Sequence, residues 1–183
     1  MKNAAMLIVL ALAFGSLTAF TSSGGNEYLG SKSCKACHSN KKMGGEQYKQ
    51  WSKGPHASAF KTLQSAEADK IAAEAGHKTK AAETKECLSC HVTGMLEDGA
   101  KFNKKFKNDE GVGCESCHGA ASGYKSKHAK DVAAGHKLGL MNPSVEGGDA
   151  EKLCVTCHNE KSPTYKKFDF KARWKEIAHP KAG

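Results

Sequence analysis

The stretch Cys34–His38, with the sequence CKACH, is the first of four copies of one five-residue pattern. The other copies are Cys87–His91 (CLSCH), Cys114–His118 (CESCH) and Cys154–His158 (CVTCH). Two cysteines three residues apart lie on one side of a helical turn, where their thiols can add to the two vinyl groups of one porphyrin. The adjacent histidine can then bind the iron. The pattern C-x-x-C-H therefore predicts covalent attachment of c-type haem.

Other uses of a C-x-x-C pair are redox-active dithiols, zinc sites and disulfides. All eight cysteines of the chain belong to the pattern, and every copy ends in histidine. Zinc and redox sites do not require that histidine, so haem attachment explains the four copies better. We predict four haems c, numbered 1 to 4 in chain order. The attachment residues are Cys34, Cys37, Cys87, Cys90, Cys114, Cys117, Cys154 and Cys157, and the proximal iron ligands are His38, His91, His118 and His158.

The N-terminal residues 1–25 are typical of a secretory signal peptide. Lys2 precedes an apolar run from Ala4 to Phe14, and small and polar residues follow. The run is too short to cross a bilayer, which disfavours a retained membrane anchor. We expect cleavage between Ala19 and Gly25 and a tetrahaem domain over residues 26–183. Export to the periplasm agrees with the motif, since c-type haem is attached outside the cytoplasm.

The composition after the leader is hydrophilic, and the whole chain has a mean hydropathy of −0.57. An ordinary chain of this kind buries too little apolar surface to fold stably. Four porphyrin faces would supply that surface, so we predict a largely unfolded apoprotein. The net charge is +9, and it falls to +8 when Lys2 leaves with the leader. Eight haem propionates would offset most of this charge, and we therefore expect no nucleic-acid partner.

The fold class predicted from these features is mainly α, a small haem-packed domain with long loops and little strand. The Ala-, Lys- and Glu-rich stretch from Ala57 to Ala75 predicts the clearest helix, which Gly76 would cap. The spacing of apolar residues from Phe168 to Ala178 predicts another. The glycine-rich segment 92–113 predicts a loop with a short hairpin.

The second axial ligand of each iron decides whether a haem carries electrons or performs chemistry. The chain has nine histidines, four of them in the motifs. The other histidines are His56, His77, His128, His136 and His179. A histidine surplus larger than the number of haems favours bis-histidine, low-potential haems over methionine ligation.

The sequence resembles the cytochrome c-554 family of tetrahaem electron carriers, best known as electron acceptors from hydroxylamine oxidoreductase. The likeness rests on Trp51-x4-His56, on residues 87–92 (CLSCHV), on Gly111–Gly119 (GVGCESCHG) with His128, and on the tail from Phe168 to His179. The extra Gly44-Gly45 stretch and Ala120, where the family usually has proline, depart from the family pattern.

The resemblance implies a mainly helical fold with closely packed haems. It also implies that His128 is the distal ligand of haem 1, His179 of haem 3 and His56 of haem 4, although the last two are exchangeable. Haem 2 would be five-coordinate, unless His77 or His136 binds its iron.

The function favoured by the motif density is electron relay between periplasmic redox proteins, by a monomer or weak oligomer with no catalytic residues. Two alternatives stay open. One is a redox enzyme that acts on nitrogen oxides or hydroxylamine at an open haem 2. The other is a subunit of an extracellular cytochrome filament, in which a neighbouring chain supplies a ligand.

Overall fold

The computed structural model describes residues 25–179, which are mainly helical, as the sequence predicted. The predicted leader lies outside the described residues, apart from Gly25. The α-helices are α1 (Lys35–His38), α2 (Gln47–Trp51), α3 (Ala59–Thr62), α4 (Ala66–Glu74), α5 (Lys85–His91), α6 (Cys114–His118), α7 (Val132–Lys137), α8 (Asp149–Cys154) and α9 (Phe170–Ile177). Short 3-10 helices span Ser31–Ser33, Pro55–Ser58, Ala81–Glu83 and Asn108–Glu110.

The helix predicted from Ala57 to Ala75 is wrong as a single element, because the chain breaks between α3 and α4. The amide of Leu63 bonds to the carbonyl of Phe60 at 3.0 Å, a tight i→i−3 contact that ends α3. Ser65 then caps α4, since its hydroxyl accepts a hydrogen bond from the amide of Ala68 at 3.1 Å. Gly76 follows α4 with a φ of +88°, as expected of a residue that closes a helix.

The hairpin predicted within residues 92–113 is also wrong. Strand β2 (Lys101–Phe102) pairs in parallel with β1 (Glu27–Tyr28), which lies ahead of the first motif. The rings of Tyr28 and Phe102 stack with their centroids 5.6 Å apart. A parallel pair needs a long crossover connection, so a local sequence pattern could not indicate it. The pairing brings the start of the domain against the segment that follows motif 2.

The hydrophobic core of the described residues is small. One cluster, built on Leu63, Ala72 and Ala81, joins α3, α4 and α5 with help from Phe60 and Leu88. The largest fully buried side chains are instead polar, Glu115 and Ser31. Each of them accepts hydrogen bonds from the backbone, Glu115 from the Gly30 amide and Ser31 from the Cys114 amide. None of the described helices is both long and apolar enough to cross a membrane.

Candidate haem sites

The four C-x-x-C-H motifs lie at the ends of short helices. In motifs 1, 2 and 3 the histidine is the last residue of its helix, namely α1, α5 and α6. In motif 4, α8 ends at Cys154, and a turn continues to His158, whose amide bonds to the carbonyl of Cys154 at 3.0 Å. One helical turn thus spans each cysteine pair, so both thiols face the same side, as attachment to one porphyrin requires.

Interactions between the cysteine thiols show that the motifs lie side by side in pairs. All eight cysteines are free of disulfides. The thiols of Cys34 and Cys114 are neighbours, and their interaction, followed by burial, raises the pKa of Cys34. The interaction with the neighbouring Cys157 thiol lowers the pKa of Cys90 to about 6. Motif 1 therefore lies beside motif 3, and motif 2 lies beside motif 4.

Cys117 connects the two pairs of motifs. Burial raises the pKa of its thiol to about 11, and the neighbouring thiols of Cys154 and Cys114 add to the rise. Motif 3 is thus close to motif 4 as well as to motif 1. The four motifs form one continuous cluster.

Within residues 25–179, three pairs of histidine rings lie at nearly the same separation. The ring centroids are 6.0 Å apart for His38 and His128, 6.1 Å for His158 and His56, and 5.9 Å for His118 and His179. Each pair joins a motif histidine to one of the histidines outside the motifs.

This separation is the one that two ligands of a single metal ion require. A metal–imidazole bond is about 2 Å long and a ring nitrogen lies about 1.1 Å from the ring centre, so imidazoles on opposite sides of one ion have centroids about 6.2 Å apart. Direct stacking of two rings would bring them closer. His128 therefore fits the distal position of haem 1, His179 that of haem 3 and His56 that of haem 4.

Hydrogen bonds orient several of these rings for metal binding. The Nδ1 atom of His118 lies 2.8 Å from the carbonyl of Met141, and that of His128 lies 3.1 Å from the carbonyl of Tyr124. A carbonyl only accepts, so each Nδ1 carries the proton and leaves the Nε2 lone pair for a metal ion. Such a bond to the second ring nitrogen is usual for metal-binding histidines.

Burial favours the neutral form, which is the form that binds metal, in four of the paired rings. It is the main cause that lowers their pKa, and neighbouring histidines add to the effect. These residues are His56, His118, His158 and His179. The His158 ring also stacks on Phe168, with centroids 4.6 Å apart, so the tail that carries His179 packs against motif 4 too.

The segment ahead of motif 3 holds His56 in place. The amide of Val112 donates to the carbonyl of His56 at 2.9 Å, and the Trp51 indole donates to the carbonyl of Val112 at 2.9 Å. Gly111 has a φ of +63°, and a Cβ at this position would lie only 2.5 Å from the His56 carbonyl oxygen. Only glycine combines this conformation with this close approach.

A second glycine makes room for His128. A Cβ at Gly135 in α7 would come within 2.7 Å of the His128 Cβ. Tyr124 packs edge-on against the His128 ring, and its hydroxyl donates to the carbonyl of Gly119, directly after motif 3, at 2.9 Å. These contacts fix the loop that carries His128 to motif 3.

The histidine of motif 2 is arranged differently. The Nδ1 atom of His91 donates to the carbonyl of Ala59 at 2.7 Å, so its Nε2 is free for a metal ion. The ring of His77 lies beside Glu86, 3.7 Å from its carboxylate, and His136 donates to the carbonyl of Leu140 at 2.7 Å. Within residues 25–179, no histidine ring is paired with His91 as the other three motif histidines are paired.

Several residues that build the site were not singled out from the sequence. Glu115, between the cysteines of motif 3, is 1% exposed and bonds to the backbone of three other residues. Thr93 is also buried, and its hydroxyl accepts from the Gly113 amide at 2.7 Å. Polar residues next to a motif are expected to be solvent-exposed, and nothing in the local sequence pattern indicates that these two are buried. Their partners lie more than fifteen positions away in most cases.

Comparison with known proteins points to one family. A family model described as cytochrome c554 and c-prime matches residues 33–119, which contain motifs 1 to 3 and His56. Cytochrome c-554 of Nitrosomonas europaea is 31% identical over an alignment of 142 residues, which covers 70% of this chain and 56% of that protein. The match thus spans little more than half of that relative. The solved structure of reduced cytochrome c554 from Nitrosomonas europaea is 26% identical, covers 84% of this chain and 79% of its own, and gives a TM-score of 0.46.

Proposed function

Because the chain belongs to the cytochrome c-554 family, we propose that it is an exported electron carrier with four covalently attached haems c. The observation that supports this most strongly is the set of three facing histidine pairs, each with ring centroids about 6 Å apart. Three of the four motif histidines thereby have a second imidazole opposite them, at the separation of two axial ligands.

The bound haem supplies reversible one-electron exchange at its iron. The cysteine thiols would attach the porphyrins and the histidines would bind the irons, and burial favours the neutral form of His56, His118, His158 and His179. Two imidazoles on one iron leave no site for a substrate, which suits electron transfer rather than chemistry. The proposed distal ligands are His128 for haem 1, His179 for haem 3 and His56 for haem 4.

The arrangement of the motifs supports relay through the whole protein. Cys34 of motif 1 is a neighbour of Cys114 of motif 3, Cys90 of motif 2 is a neighbour of Cys157 of motif 4, and Cys117 lies near motif 4. Porphyrins attached at these thiols would lie close to one another. An electron that enters at one end could then leave at the other. The redox partners we propose are donor and acceptor proteins of the periplasm.

A second candidate function rests on motif 2. The rings of His77 and His136 lie against Glu86 and Leu140 rather than against His91. We infer that haem 2 is five-coordinate in the monomer and able to bind a small ligand. Turnover of a nitrogen oxide would also need a proton donor beside the iron. The carrier is therefore the better proposal, and ligand binding at haem 2 would be slow and unproductive.

Intact mass spectrometry of the purified holoprotein tests the proposal. We expect the mass of the processed polypeptide plus four haem groups, and no haem extracted by acid–acetone. A mass with fewer haems, or with bound zinc, would contradict it. Rapid turnover of nitrite, nitric oxide or hydroxylamine by the same sample would contradict the proposal of an electron carrier and favour the proposal of a redox enzyme.

A further inference from the structure

Two buried carboxylates in the described residues flank the backbone just ahead of motif 1. Glu115 is 1% exposed and Glu110 is 6% exposed. Both contact Gly30: Glu115 accepts a hydrogen bond from its amide at 2.7 Å, and the Glu110 oxygens lie 3.1 and 3.2 Å from the position that a Cβ of Gly30 would take. Buried carboxylates are rare in proteins unless they are paired or hydrogen-bonded.

The hydrogen bonds of Glu115 suit an ionised carboxylate. Its two oxygens accept from the amides of Leu29 at 2.9 and 3.0 Å, Gly30 at 2.7 Å and Ala121 at 2.8 Å. All four contacts come from donors, whereas an un-ionised carboxyl would also need an acceptor for its own proton. Burial raises the pKa of Glu115, and the three backbone donors oppose that rise.

The position of Glu115 places its charge between motifs 1 and 3. It follows Cys114, whose thiol is a neighbour of that of Cys34. The pKa of Cys34 is raised chiefly by the interaction with Cys114 and by burial, and the negative charge of Glu115 adds to the rise. The carboxylate therefore acts electrostatically on one of the two sulfur atoms that would carry haem 1 and on one of the two that would carry haem 3.

We propose that Glu115, assisted by Glu110, lowers the reduction potentials of haems 1 and 3. This inference rests on the proposed function, because it requires haems at those motifs. An oxidised haem carries one more positive charge than a reduced one, so a fixed negative charge nearby favours oxidation. Burial strengthens the effect, because little water screens the charge. Charge and burial are among the means by which a protein sets a haem potential.

A redox titration of the holoprotein, followed by electron paramagnetic resonance, tests this with Glu115→Gln and a matched control, Glu151→Gln. Glu151 also lies near a motif thiol, since after burial it helps to raise the pKa of Cys154, but its side chain is exposed. The signals of haems 1 and 3 are identified by their loss in His128→Ala and His179→Ala.

We expect Glu115→Gln to increase the equilibrium constant for reduction of haems 1 and 3 at least tenfold. For a one-electron couple this is a rise in reduction potential of about 59 mV. Glu151→Gln should shift the potential of haem 4 much less. Unchanged potentials in Glu115→Gln, or equal shifts in both variants, would overturn the inference.

A second variant covers the case in which Glu115→Gln does not accumulate with haem. Glu110 accepts one backbone bond, from the amide of Lys32 at 3.1 Å, and its other oxygen lies 3.8 Å from the Lys32 ammonium. Glu110→Gln keeps an acceptor and should also raise the potential of haem 1; an unchanged potential there would overturn the inference. Fewer than four haems in the unmodified protein would contradict the proposed function, whereas four haems with unshifted potentials would contradict only this inference.

Discussion

The imidazole rings of His38 and His128 lie parallel, with 4° between their planes and 6.0 Å between their centroids. These residues are ninety positions apart in the sequence, one in α1 and the other on the loop between α6 and α7. The separation is that expected of two imidazoles on opposite sides of one iron atom.

The first prediction concerns this pair. Replacement of His128 by alanine should convert haem 1 from low-spin to high-spin, because His38 would remain as its single protein ligand. The absorption and electron paramagnetic resonance spectra measure the change. His136→Ala is the control, since its ring bonds to Leu140 rather than to a motif histidine. Equal spectra for the His128 variant and the unmodified protein would refute the assignment.

The second prediction concerns haem 2. The reduced protein should bind one carbon monoxide per chain, because no histidine ring is paired with His91 in the described residues. The measurement is a carbon monoxide titration followed by absorption. His77→Ala and His136→Ala should leave the stoichiometry unchanged. Additional binding in either variant would show that the replaced histidine closes an iron.

The third prediction concerns the glycine that holds His56. Gly111→Ala should destabilise the protein by about 1–3 kcal/mol more than Gly99→Ala, because the added methyl group would overlap the His56 carbonyl. Both glycines have positive φ, but a Cβ at Gly99 would meet nothing within 4 Å. Chemical denaturation measures the difference, and the spectrum of haem 4 should change only in the Gly111 variant. Equal stability of the two variants would argue against this account of His56.

The fourth prediction concerns the part that haem plays in the core. Replacing both Cys154 and Cys157 by alanine should remove haem 4 and lower the free energy of unfolding by at least about 3 kcal/mol, the scale for loss of a large core group. Val155→Ala, at a half-exposed position of the same motif, should have little effect. If the double variant kept its stability, the haem would not be part of the core.

The sequence predicted the helical class and the candidate axial residues because both are carried by local patterns and residue counts. The five consecutive residues of the C-x-x-C-H motif are enough to indicate haem attachment. The assignment of His56, His128 and His179 as distal ligands came from resemblance to a family, and the ring separations agree with it.

The long-range features could not be predicted. Strand β2 pairs with residues more than seventy positions earlier, and two of the three residues that bond to Glu115 come from the segment ahead of motif 1. A buried carboxylate has the same letter in the sequence as an exposed one. The prediction of one helix from Ala57 to Ala75 failed for a local reason. The Ser65 cap starts a new helix at this point, and its effect outweighed the helix propensity of its neighbours.

An electron paramagnetic resonance count of low-spin and high-spin haems in the oxidised holoprotein, at low concentration, decides whether the paired histidines are axial ligands. Three low-spin haems and one high-spin haem per chain are expected, because in the described part of the chain three motif histidines lie opposite a second imidazole and His91 does not. Four low-spin haems would mean that haem 2 is closed. Two or more high-spin haems would mean that the facing histidines do not share an iron, and the account of this protein as a mainly bis-histidine carrier would be wrong.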